Sequence, residues 1–150
     1  MEIPYKAAVA VLFALSSVQA FSADLEKKAL LYEGTQGGVN AGVVTTNQNH
    51  LNGTTKVLGY TVDDVSAKPA SSFVEVFVGN TAGVNEGVVT TDTNHVGGST
   101  RSIGYLSKDA VKGGARLYVG EVGNCNAGVV TVSTKHLNCA THFIGYALPQ

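Results

Sequence analysis

Charge is what this sequence has least of. Only 14% of its 150 residues are charged, with ten Lys and Arg against eleven Asp and Glu, and a formal net charge of −1. No basic cluster or aromatic–basic interleaving occurs, which excludes the usual electrostatic footprint of a nucleic-acid binder. The catalytic motifs are missing as well. There is no G-x-S-x-G, no H-E-x-x-H and no Ser–His–acid spacing. The Gly-rich segments GTQGGVNAG and GNTAGVNEG lack the Lys and the helix that a phosphate cradle needs. Acidic residues do not recur at matched positions of the three repeated segments, and only Asp63 and Asp64, in a seam, are adjacent, so a paired-carboxylate hydrolase lacks its pair. The expectation is a protein that is not an enzyme and that carries no cofactor.

Long apolar runs are also scarce. The run AAVAVLFAL after Lys6 falls short of the roughly 20 residues that span a bilayer. Followed by SSVQA, with Val18 and Ala20 at the small-residue positions, it reads as a signal peptide. We expect residues 1–20 to be removed, with cleavage after Ala23 as the second choice. The mature chain, residues 21–150, is then a secreted protein, extracellular or periplasmic, with no membrane span.

What the sequence has in abundance is Gly, Thr, Asn and Val, arranged three times over. Residues 29–62, 74–107 and 115–148 align without a gap. Ten positions are identical in all three, namely Gly34, Asn40, Gly42, Val43, Val44, Thr45, His50, Thr55, Gly59 and Tyr60 and their copies. The seams DDVSAKPASSF and KDAVKGG are polar and turn-forming. Each block opens on a β-branched and aromatic run (ALLYEG, VEVFVG, ARLYVG), continues through GVVT, and ends on KVLGYTV, RSIGYLS or HFIGYAL. Helical periodicity is absent throughout. Three or four strands per block predict an all-β single domain of about 9–12 strands, since a unit this small cannot close its own core. The pattern predicts a pseudo-threefold repeat of β units, with a β-trefoil favoured over a β-prism and a hairpin formed by GVVT and the segment that returns from the polar turn. The Tyr60, Tyr105 and Tyr146 rings are expected to pack between blocks. The Q-x-W marks of ricin-type trefoil lectins are absent, as are the Q-x-D-x-N-x-V-x-Y marks of bulb-type mannose lectins. LYVG before a G-x-V strand is similar to part of the natterin-like repeat, but the rest of that pattern is missing.

Two cysteines occur, Cys125 and Cys139, both in the third block, where the other blocks carry Val39 and Gly53 or Val84 and Gly98. With no C-x-x-C and no second thiol pair, a redox or thiolate metal centre is not indicated. In an exported chain an even pair predicts a structural disulfide. Such a bond requires Cα atoms within about 7 Å, so it would set the residues before GVVT beside those after the recurring histidine.

His50, His95 and His136 admit three readings. They satisfy backbone groups at a strand start, they contribute to one ligand site per block, or they converge on a shared metal as three-His zinc ligands do. No repeated carboxylate accompanies them as an outer partner, which argues against the metal. His142 takes the place of Lys56 and Arg101 and reads as a solvated position. The polar tips TNQN and TDTN sit where a rigid scaffold displays binding loops. Asn47, Asn49, His50, Asp92, Asn94, His95 and His136 are therefore the candidate ligand-binding residues. Lys135 replaces Asn49 and Asn94 in block three. Asn40 and its copies fit a turn-stabilising role, and Asn52-Gly53-Thr54 is a glycosylation sequon. These features together suggest a lectin-like, multivalent module for surface glycans. The alternative is a protein-binding effector, toxin component or protease inhibitor that engages a cell-surface protein.

Overall fold

The computed structural model describes residues 25–38, 40–51, 53–66, 68–94, 96–132, 134 and 139–150, without the side chain of His50. The expected export segment, the sequon Asn52, and His95 and His136 lie outside these residues. Nine strands form in order: β1 (Lys27–Gly34), β2 (Val44–Thr45), β3 (Thr55–Val62), β4 (Phe73–Gly79), β5 (Val89–Thr90), β6 (Thr100–Ser107), β7 (Ala115–Gly120), β8 (Val130–Thr131) and β9 (Thr141–Ala147). Two short 3-10 turns, Gln48–His50 and Ala70–Ser72, are the only helical elements among the described residues. The chain is all-β, and the strands join in one antiparallel sheet.

Each block repeats one pairing scheme. The opening strand sits in the middle, with the short VT strand on one side and the closing strand on the other: β2-β1-β3, β5-β4-β6 and β8-β7-β9. The hairpin expected from the sequence is thus replaced. GVVT pairs back onto the opening strand, as in Tyr32 opposite Thr45, and the closing strand also pairs with the opening strand. The reason lies in the residues before GVVT. They form a tight loop held by a buried Asn, and that loop turns the chain back before the polar tip is reached.

That Asn explains its own recurrence. Asn40 Oδ1 accepts the Gln36 N–H, Asn85 Oδ1 the Thr81 N–H, and Asn126 Oδ1 the Val122 N–H, at 3.0, 3.0 and 3.2 Å. All three Asn are buried. A side chain at Gly34, Gly79 or Gly120 would strike the backbone oxygen of this same Asn, so Gly and Asn recur as a pair. The sequence expectation of a turn-stabilising Asn matches this geometry. The Cys125–Cys139 disulfide joins this loop in block three to the segment that enters β9, with Cα atoms 6.4 Å apart.

Alternation along the strands builds the core. In β7, Leu117 and Val119 point inward while Arg116 and Tyr118 point out. A register shift between Leu117 and Tyr118 leaves Ile144 as an extra residue on β9, opposite no partner, and Ile144 is buried. The same shift occurs in the other two blocks, at Leu58 and at buried Ile103. A bulge of this kind re-aims the side chains around it. Beside it stand Gly59, Gly104 and Gly145. A Cβ on Gly59 would meet the Leu148 carbonyl, one on Gly104 the Val62 carbonyl, and one on Gly145 the Ser107 carbonyl at 2.9 Å. The last strand of each block therefore crosses the last strand of another at a glycine.

Those crossings form one ring of contacts, with Val62 opposite Tyr105, Ser107 opposite Tyr146, and Tyr60 opposite Leu148. A second ring is made by the VVT segments. Thr45 lies opposite Val88, Thr90 opposite Val129, and Thr131 opposite Val43. The main apolar cluster fills the space between the rings, with Leu31, Val76, Ile103, Leu106 and Leu117 almost wholly enclosed. Burying each such side chain is worth roughly 1.5–3 kcal/mol before the entropy of ordering is counted. A smaller cluster of Val62, Phe73 and Leu148 takes Tyr60 and Tyr105 against it, as expected for rings between blocks, whereas the Tyr146 ring packs on Phe143 of its own block.

Candidate functional site

The identical threonines are buried connectors. Thr45 Oγ1 donates to the Gly87 carbonyl at 2.8 Å, Thr90 Oγ1 to Gly128 at 2.8 Å, and Thr131 Oγ1 to Gly42 at 2.7 Å. The polar tip of each block starts right after this threonine. The tip is thereby held over the Gly-containing loop of another block, and a cleft opens between them.

Two such clefts are found among the described residues. The smaller, about 350 Å³, lies between the first tip and the loop of the second block, and is lined by Asn47, Asn49, Gly83, Val84 and Glu86. Asn47 accepts the Asn49 N–H through Oδ1 at 3.0 Å and caps the 3-10 turn. Its backbone is tied to Thr45, whose hydroxyl oxygen accepts the Asn47 N–H at 3.0 Å. The amide group of Asn47 keeps its NH2 donors for a ligand, and Asn49 offers both a donor and an acceptor. Here two of the sequence-predicted residues come together.

The larger cleft, about 660 Å³, lies between the second tip and the third block. Thr91 and Asp92 face Glu121, His142 and Phe143 across it, with Lys108 at its margin. Asp92 repeats the arrangement of Asn47. Its Oδ1 accepts the Asn94 N–H at 3.0 Å, and the Thr90 hydroxyl oxygen accepts its N–H. Asp92 retains a second carboxylate oxygen. His142 Nδ1 lies 2.9 Å from Glu121 Oε2, both side chains about half exposed. His142 is exposed, as expected for a solvated position, and its imidazole also bonds the carboxylate. Asn94 is positioned by Asp92 and does not line the cleft. His95, His136 and the side chain of His50 lie outside the described residues.

Sequence reasoning missed Lys108, Glu121, His142 and Phe143. Glu121 and His142 are 21 residues apart and belong to different strand ends. One signal was available: His142 departs from the Lys56 and Arg101 of its sister positions, and Glu121 from Thr35 and Asn80. The two departures occur together in block three. Among the described residues no group of three or more His, Cys, Asp and Glu has a geometry that holds a metal ion. No protein family, curated protein or solved structure matches this chain.

Proposed function

We propose that the protein is a secreted, non-enzymatic module that recognises surface glycans through the clefts between its blocks. The observation that supports this most is the placement of the two tips. Asn47 with Asn49, and Thr91 with Asp92, each stand across a cleft from the next block, on backbone fixed by a buried threonine. Amides, a hydroxyl and a carboxylate fixed in this way match the paired donors and acceptors of sugar hydroxyls. Repeating the site on one rigid body converts weak single contacts into avidity of 10²–10⁴. The disulfide is consistent with an oxidising compartment. The pairing of last strands with one another, and of VT strands with their own opening strands, favours the prism-like alternative over the trefoil expected from block length.

The rival reading is a protein-binding effector. The exposed apolar side chain of Val84, 58% accessible at the rim of the smaller cleft, favours it. A glycan array on the mature chain decides between the two readings. Glycan binding that is lost in Asn49→Ala and Asp92→Ala supports the proposal, whereas an array without hits, or hits untouched by both changes, refutes it.

A further inference from the structure

The outward face of the third block carries a cluster that its sister blocks lack. Arg116 on β7 lies with its guanidinium 4.5 Å from the Phe143 ring, 5.6 Å from Tyr146 and 5.8 Å from Tyr118. Its Nε donates to the Tyr118 hydroxyl and its Nη1 to the Tyr146 hydroxyl, each at 3.1 Å. Phe143 meets Tyr146 and Tyr118 edge to face, at 5.1 and 6.0 Å. The bulge at Ile144 is what sets Phe143 and Tyr146 on one face opposite Tyr118 and Arg116. At the matching positions block one has Leu30, Tyr32, Val57 and Tyr60, and block two has Glu75, Phe77, Ser102 and Tyr105. Only the third block combines a cation with three rings.

Packing alone does not call for this arrangement, because blocks one and two make the same strand pairs with Val57 or Ser102 in place of Phe143. Arg116 forms no ion pair with a carboxylate among the described residues. A guanidinium has five N–H donors; the two phenols take two and leave three. The rings and hydroxyls fix its plane, so little rotamer entropy remains to be lost when an anion binds. The hydrogen bond to Tyr118 raises the guanidinium pKa above its ordinary, already high value, so the charge is present at any working pH.

We propose that this face binds a sugar that carries a carboxylate on its ring, of the uronic or sialic acid type. A carboxylate accepts two parallel N–H bonds from an Arg fork. In such a sugar the anion is attached to the pyranose itself, so it presents the charge and an apolar C–H face as one rigid unit. That C–H face gains dispersion contact on the partly exposed Tyr118, Phe143 and Tyr146 side chains. An Asp or Glu side chain offers the same charge on a flexible stem, with no ring face and with rotamer entropy to lose. Phe143 also lines the larger cleft, but Arg116, Tyr118 and Tyr146 do not, and the site does not rest on the glycan reading proposed for the tips.

The test is a titration of the mature protein with oligogalacturonate, a glucuronate oligosaccharide and a sialylated oligosaccharide. Methyl-esterified oligogalacturonate and a hexaglutamate peptide serve as comparisons. At least one acidic sugar is expected to bind. Esterification, Arg116→Gln and Phe143→Ser are each expected to weaken binding about tenfold or more. Lys28→Gln, which removes an exposed cation far from this cluster, should leave the affinity unchanged, so that loss in Arg116→Gln reports the site and not net charge. Arg116 is exposed and Phe143→Ser copies block two, so both variants should fold, and circular dichroism melts check that. Absence of binding by all three sugars, equal binding of the ester, equal binding of hexaglutamate, or full affinity in Arg116→Gln would each overturn the proposal.

Discussion

The Thr131 hydroxyl donates to the Gly42 carbonyl at 2.7 Å across 89 residues of sequence. This bond returns the third block to the first, and with Thr45–Gly87 and Thr90–Gly128 it completes a closed ring. The three threonines are fully buried. Replacing any one by Val keeps the shape and removes the donor, which should cost about 1–2 kcal/mol. For a chain of this size that is a melting temperature lower by roughly 3–6 °C. Thr35→Val, at an exposed position, serves as the control and should shift it by much less. Thermal melts of the four variants check this.

Gly104 and Gly97 form a matched pair for backbone effects. A Cβ at Gly104 would collide with the Val62 carbonyl, and its φ of 118° already disfavours a side chain. A Cβ at Gly97 meets nothing within 4 Å. Gly104→Ala is expected to lower stability by about 1–3 kcal/mol or more, and Gly97→Ala to be near neutral. Chemical denaturation of both proteins reads the difference directly.

The disulfide is expected to stabilise without being needed for binding. At the positions of the two cysteines, blocks one and two carry Val39 and Gly53, or Val84 and Gly98. Cys125→Val with Cys139→Gly should therefore fold, with a stability loss approaching the roughly 3 kcal/mol of the chain-entropy model. Free thiols in the untreated protein, or a double variant that fails to fold, would contradict this.

Binding by the polar tips should be unequal among blocks. Asn49→Ala should weaken attachment to a multivalent glycan, whereas Asn94→Ala should have a smaller effect, because it keeps the backbone N–H that bonds Asp92 and Asn94 does not line the larger cleft. Lys135→Ala should matter little, since an ammonium only donates where an amide also accepts. Isothermal titration of the three variants against one array hit orders them. A dominant loss in Lys135→Ala would direct attention to an anionic ligand instead.

The three recurring histidines are expected not to share a metal. Metal analysis of protein purified without added ions should show no stoichiometric zinc or copper, and adding zinc should not raise the melting temperature.

Much of the strand content was legible because each opening run carries alternation and stops at a Gly, and the bulge glycines recur with the tyrosines beside them. The cysteine pair was legible from its number and its block positions. The strand order was not. Val44 and Thr45 read equally well as the first arm of a hairpin with Thr55 and Lys56 or as a partner for Tyr32 behind them. Only the buried Asn40, which reverses the chain early, decides between the two. The tips were legible as polar loops, but their clefts were not, because the opposite walls come from other blocks. Glu121 and His142 meet through the pairing of β7 with β9, and Asp92 joins them only when the second tip docks on the third block.

A closed ring of equivalent blocks also has no preferred beginning. Leu25 and Lys27 line one small cleft together with Leu148, Pro149 and Gln150, so the two ends of the described chain lie side by side. Their meeting point is equivalent in place to the seams after Val62 and after Ser107. A short linker from Gln150 to Leu25, with new ends opened near Ser66 or Gly113, would carry the same contacts in a different reading order. Such a permuted chain loses no strand pair, and the change lies in which block must wait for which during folding. In the natural order the first block is made earliest, yet its Gly42 carbonyl waits for Thr131 and its Tyr60 N–H and carbonyl wait for Leu148. In a chain that starts at the second block, the wait passes to another pair of edges.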